Sequence, residues 1–178
     1  VVAEPLKYAL LDSAPICDIE LERFLTMARH ALLSVATGER TCGGVDDAVL
    51  SFYGALARQC FINEYVFAWT DEEAKQALSL RDAMAASLKA EAEIPALWPL
   101  AVAAYFPLHR LALADRLAAR TWPDAVSAVL AQQVQEPAQE RNYRTTIPRL
   151  TTVEDEVSLL VQHQYEENPY PRWIKTAP

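Results

Sequence analysis

The stretch VDDAVLSFYGALARQCF, residues 45–61, decides the fold class. Val45, Ala48, Val49, Phe52, Tyr53, Leu56, Ala57, Cys60 and Phe61 recur at steps of three and four, the spacing that lines one face of an α-helix. No alternation of period two competes with it. Working outward, the same pattern returns on both sides.

Upstream, Leu21, Phe24, Leu25, Ala28, Leu32 and Val35 form a second stripe. Asp18 is the natural N-cap, and the glycines Gly38, Gly43 and Gly44 close that helix and make a loop. Downstream, TDEE at 70–73 reads as a capping box, with Thr70 as the cap and Glu73 three residues on. Its helix carries Ala74, Ala77, Leu78, Ala85 and Leu88 and is expected to reach about Glu91.

Residues 94–108, IPALWPLAVAAYFPL, hold no charge. The run is shorter than the roughly 20 residues of a membrane-spanning helix, and Pro95, Pro99 and Pro107 interrupt it. A buried core segment is the expectation, followed by helix to about Arg120. Pro123 and Asp124 suit the first turn of a further helix, expected to stop at Glu136–Pro137. A second capping box, Thr152 to Asp155, opens a last helix that should bury Val153, Val157, Leu160, Val161 and Tyr165. About seven helices follow, with no convincing strand. The expected fold is all-α, either a helical bundle or stacked helical hairpins like a tetratricopeptide array. Its helical domain spans 1–165, and an extended Pro/aromatic linker occupies 166–178.

Composition agrees, with four glycines among 178 residues and a 52% hydrophobic content. The formal net charge of -8 argues against nucleic acid and anionic membranes as partners. Cys17, Cys42 and Cys60 are odd in number and lack CxxC spacing, so reduced thiols and a cytoplasmic location are expected. The opening VVAEPLKYALL has no basic segment ahead of a long apolar one, which argues against a signal peptide. It also lacks an initiating methionine, as a piece of a longer polypeptide would.

Chemistry is sparse. His30, His109 and His163 fall on three separate predicted helices, with no HExxH and no paired cysteines, so no metal site is expected. No glycine-rich loop follows a strand, so no cofactor-binding or catalytic residue is assigned. In QCFINEY, residues 59–65, Gln59 and Asn63 share a helix face beside Tyr65. They either line a partner groove or form a satisfied polar network between packed helices, and the network is the reading we prefer. Gln133, Glu136 and Glu140 are read the same way. The Asn168–Pro169 pair stops the last helix, since the residue before proline avoids helical geometry.

Three segments, QCFINEYVF, RTWPDAVSAVLAQQVQEPAQER and above all VSLLVQHQYEENPYPRW, carry a resemblance. They resemble bacterial fusion proteins that join tetratricopeptide repeats to a class I S-adenosylmethionine-dependent methyltransferase, where such an all-helical segment lies between the two. The resemblance covers roughly Leu6 to Trp173. The family's cofactor-binding residues, a glycine-rich turn after a strand and an acidic residue ending the next, are absent from these 178 residues.

The resemblance therefore implies a non-catalytic helical scaffold or protein-interaction domain, with a methyltransferase domain in cis as partner. S-adenosylmethionine is expected for the parent protein and no cofactor for this chain. Tyr165, Glu166, Glu167, Asn168, Tyr170, Arg172 and Trp173 become candidate interdomain contacts, with Gln59, Asn63 and Tyr65 as candidate partner contacts. Two alternatives stand beside this reading. One is an independent peptide-binding module with exposed residues around Asn63, Tyr65 and Trp69; the other is a small helical enzyme using His109 or Cys60.

Overall fold

The computed structural model describes residues 5–38, 45–148 and 155–167, and every regular element within them is helical. The order is α1 (Pro5–Ser13), α2 (Ile19–Thr37), α3 (Asp47–Ile62), α4 (Asp71–Lys89) and α5 (Leu97–Ala103). A 3₁₀ turn (Leu108–Arg110), α6 (Ala114–Ala118), α7 (Asp124–Leu130), a π-helical turn (Ala131–Gln135), α8 (Glu136–Thr146) and α9 (Glu156–Glu167) complete it.

The helix of the decisive stretch is the centre of the bundle. Leu50, Gly54, Ala55, Leu56, Ala57, Cys60, Phe61 and Ile62 are all buried, so α3 is enclosed on most of its circumference rather than on one stripe. It packs on α1, α5 and α7, and α5 is itself apolar and buried except at the half-buried Trp98. At Gly54 a Cβ would stand 3.1 Å from the Ala125 carbonyl oxygen and 3.2 Å from its Cβ, so glycine is what lets α7 approach α3 there. α2 and α4 close the other side against α5.

Helix starts follow the sequence signals. Asp18 accepts from the Leu21 N–H (2.8 Å), Asp46 from the Ala48 N–H (2.8 Å) and Thr70 from the Glu73 N–H (3.2 Å). The helices depart from expectation in four places. No helix was expected over Pro5–Ser13, where α1 lies. The expected helix over 108–120 is broken into the 3₁₀ turn and α6, because Leu108 turns its N–H to the Gln133 side chain and Leu111 is extended.

The third correction concerns Pro137, which does not stop its helix. It has no N–H for the Gln133 carbonyl and its ring crowds that carbonyl. A wider turn absorbs the conflict, with the Glu136 N–H bonding Ala131 five residues back, so helix continues over 124–146.

The fourth correction is α9. It begins at Glu156, capped by Asp155 through the Ser158 N–H (2.9 Å), and runs through Glu166 and Glu167, which were expected to be extended. That hydrogen bond holds the Asp155 carboxyl below its usual range. Val157, Leu160, Val161 and Tyr165 are exposed, not buried. Their spacing is amphipathic, but the described core does not cover them. The inner stripe of α2 is likewise turned, with Leu25, Arg29, Leu32, Leu33 and Ala36 inward while Phe24 and Val35 stay half exposed. Val49 and Leu78, read on inner stripes, are also exposed.

Candidate functional site

The stretch from Gln59, late in α3, to Glu73, early in α4, joins two polar clusters. In the first, the Gln59 carboxamide is fully buried. With its nitrogen turned toward the α1–α2 link it donates to the Leu11 and Ala14 carbonyls (2.7 and 3.0 Å), and its oxygen accepts from the Ile16 N–H (3.1 Å). Asn63 caps α3, and its Oδ1 accepts from the Tyr65 N–H (3.1 Å). That bond, with Tyr65 N–H to the Cys60 carbonyl (2.9 Å), holds Glu64 and Tyr65 in the left-handed region at φ 57° and 61°. Two consecutive non-glycine residues there store strain of about 1–3 kcal/mol each.

Gln133 is the hub of the same region and is completely buried. Its Nε2 donates to the Ala57 and Ala103 carbonyls (both 3.2 Å), and its Oε1 accepts from the Leu108 N–H (3.2 Å) and the Tyr65 hydroxyl (3.4 Å). One side chain thus connects α3, α5, the 3₁₀ turn and the 63–65 turn. The Phe61 ring lies edge-on to both Tyr65 and His109. Gln59 and Tyr65 therefore belong to polar networks between packed helices, whereas the Asn63 side chain bonds only to the turn that follows α3 and, among the described residues, its Nδ2 has no hydrogen-bond partner. Among them only Tyr65 is partly exposed. Glu136 is half-buried at the end of the π turn, and Glu140 is exposed on α8.

The second cluster was missed from sequence. Arg29 of α2 is 1% exposed and donates to the Phe67 and Ala68 carbonyls (3.3 and 2.7 Å) and to Glu73 Oε1 (3.2 Å). Tyr105 donates its hydroxyl to the same carboxylate oxygen. The Glu73 side chain thus faces inward instead of reaching back to the cap residue, as a reciprocal capping box would have it. The Arg29 guanidinium also lies 4.5 Å from the Tyr105 ring centroid. Burial, reinforced by the hydrogen bond to Glu73, pushes the Tyr105 phenol well above its ordinary value. Arg29 sits four residues after Leu25 and three before Leu32, and that placement was the available signal.

Above this ion pair lies an aromatic platform. Trp69 stacks on Tyr105 with centroids 5.7 Å apart and planes 8° from parallel. Phe106 stands beside it at 6.1 Å, tilted by 49°, and carries the Arg81 guanidinium 5.4 Å from its centroid. Trp69 is 45% exposed and Val66 70%.

The remaining candidates divide plainly. Tyr165 lies on α9 with its side chain exposed, and Glu166 and Glu167 are helical in backbone. Asn168, Tyr170, Arg172 and Trp173 lie outside the described residues, as do Cys42, Val153 and the cap candidate Thr152. Burial pushes the Cys60 thiol up to about 12, against the opposing charge of Arg29, so it is protonated at neutral pH. Cys17 is exposed. Among the described residues no three His, Cys, Asp or Glu side chains are grouped to hold a metal ion, and no helix is long and apolar enough to cross a membrane. Compared with protein-family models, with curated proteins and with solved structures, the chain matches none.

Proposed function

We propose that this chain is a non-catalytic helical scaffold and protein-interaction domain, joined in cis to a S-adenosylmethionine-dependent methyltransferase. The observation that carries the interaction part is the outward apolar face of α9, with Val157, Leu160, Val161 and Tyr165 exposed on a capped helix. A face of that spacing is stabilised by burial against another surface. The likeness of VSLLVQHQYEENPYPRW to the segment preceding the methyltransferase fold supports the identity of the neighbour. On this reading the cofactor belongs to the neighbour, the cytoplasm is the compartment, and Tyr165 to Trp173 form the junction. A protonated, buried Cys60 weighs against the alternative in which that thiol is a nucleophile.

The test is a calorimetric titration of the folded chain with S-adenosylmethionine. The expected result is no heat of binding. Stoichiometric micromolar binding would overturn the reading and place a cofactor site among these helices.

A second reading, a module that binds a peptide on its own surface, is favoured by one observation. The aromatic platform at Trp69 is rigidly seated yet open to solvent.

A further inference from the structure

α1 packs on α3, and of its described side chains only Leu11 is buried, whereas α2 buries five. Two neighbouring α3 residues supply its polar attachments. Arg58 pairs with Asp12 (2.7 Å). The Gln59 carboxamide donates to the Leu11 and Ala14 carbonyls and accepts from the Ile16 N–H.

This pair of side chains holds α1 in the way a receptor holds a short helical ligand. The Leu11 carbonyl is among the last four of its helix, beyond the reach of any intrahelical N–H. Gln59 therefore caps α1 from outside and then grips the chain that follows. Asp12 lies in the last turn of α1, where a negative charge opposes the helix dipole, and Arg58 offsets that cost from across the interface. A helix of nine residues is marginal on its own, so α1 is folded because it is docked.

The attachment is also incomplete. Among the described residues, Asp12 Oδ1 and Arg58 Nε are buried without a hydrogen-bond partner, so the ion pair uses only one atom of each group. Burial pushes the Asp12 carboxyl above its ordinary value, against the pull of Arg58, which makes the docked carboxylate less well accommodated than one in water. The link to α2, residues 14–18, is non-helical and contains Pro15, which fixes its own φ and biases Ala14 toward extended geometry. A short, stiff link invites exchange of the element it carries. The segment that satisfies the seat on α3 is α1, and a second copy brings the same segment. Exchange keeps every docking contact and adds only the cost of association.

We propose that α1 is an exchangeable element, and that the α3 face presenting Arg58 and Gln59 is a self-association site that takes α1 of a second copy in place of its own. This self-association does not depend on a methyltransferase neighbour.

The test reverses the two charges in separate full-length chains. Asp12→Arg and Arg58→Glu each set like charges face to face within one chain, and each variant alone should be monomeric. Mixed in equal amounts at high concentration, they should form a 1:1 heterodimer in size-exclusion chromatography with light scattering, because each α1 then meets a complementary seat on the other chain. Both substitutions placed in one chain should restore the monomer. In the unaltered chain, hydrogen exchange at the α1 amides and at Ile16 should run about a hundredfold faster than at the α5 amides, since α1 opens without the bundle. A mixture that stays monomeric although both variants melt cooperatively would overturn the proposal, as would α1 amides protected as strongly as those of α5. If either variant does not fold, exchange in the unaltered chain decides.

Discussion

The bundle from α1 to the π turn and the arm formed by α8 and α9 are built from similar helical sequence, yet they end in opposite states. In the bundle, even polar side chains are buried: Arg29, Gln59, Glu73 and Gln133. In the arm, even apolar ones are exposed, including Tyr143, Ile147, Val157, Leu160 and Val161, and α8 buries no residue at all. Amphipathic spacing thus specifies a helix and a face, but whether the face is covered depends on what the rest of the molecule brings to it. In the bundle Arg29 and Gln133 tie together segments far apart in sequence. Among the described residues, the arm's apolar side chains Tyr143, Ile147, Val157, Leu160 and Val161 lie outside the core.

Perturbing the bundle's polar anchors should therefore cost far more than perturbing the arm's apolar face. The largest effect is expected at the buried ion pair. Glu73→Ala leaves the Arg29 guanidinium without its counter-charge and should destabilise by about 3–5 kcal/mol, measured by urea unfolding. Removing both charges together as Arg29→Met/Glu73→Leu should recover a large part of that loss. A Glu73→Ala protein as stable as the parent would mean that the pair is solvated.

Gln133→Leu comes next. It strips partners from the Ala57 and Ala103 carbonyls and the Leu108 N–H at once, and a loss of about 2–3 kcal/mol is expected. Hydrogen exchange at the Leu108 amide should rise with it.

A pH effect of intermediate size follows from Cys60 and Tyr105. Both groups have folded-state values raised above those of the unfolded chain, so the folded protein holds more protons in alkali. The stability they contribute is fully present below about 9 and is lost as pH rises, for Cys60 over the range from 9.0 to about 12. For Tyr105 the loss begins above 10.0. Each group adds a slope approaching about 1.4 kcal/mol per pH unit. Thermal melts between pH 8 and 11 should show this decline, and Tyr105→Phe should flatten its upper part. An unchanged slope in that variant would show that the phenol titrates normally.

The smallest effect is expected on the arm. Leu160→Asp should change stability by less than about 0.5 kcal/mol, the range of ordinary surface substitutions. A loss near 2 kcal/mol would reveal that α9 is covered after all and would erase the contrast.

How much of this was legible beforehand follows the same division. The caps at Asp18 and Thr70 and the spine of α3 could be read because they depend on residues close in sequence. Arg29 escaped because an arginine on a helix ordinarily reads as solvated. Its place on the inner stripe shows only when that stripe is turned toward Arg29 and Leu33 and away from Phe24 and Val35. Gln133 was recognised as one of several polar residues in packed helices, but its four partners come from segments up to 76 residues away. Trp69 was visible as an aromatic of interest, whereas its seat on Tyr105 is a long-range contact that no local pattern encodes. The continuation through Pro137 was hidden because proline's local rule is to stop a helix.

That continuation has a further consequence. Each residue of an α-helix advances the chain by about 100°, so a turn widened by one residue shifts the angular phase of everything beyond it. Val126, Val129, Leu130 and Val134 face the core, and after the π turn the same rod fully buries none of its side chains, with only Glu136, Pro137 and Ala138 half-buried. The widened turn acts as a clutch, uncoupling α8 from the facing rule that α7 obeys. The face that α8 turns outward is accordingly set by one surplus residue between 131 and 135. A single insertion or deletion there would turn a different face of α8 toward the bundle while leaving the core of α3 and α5 untouched.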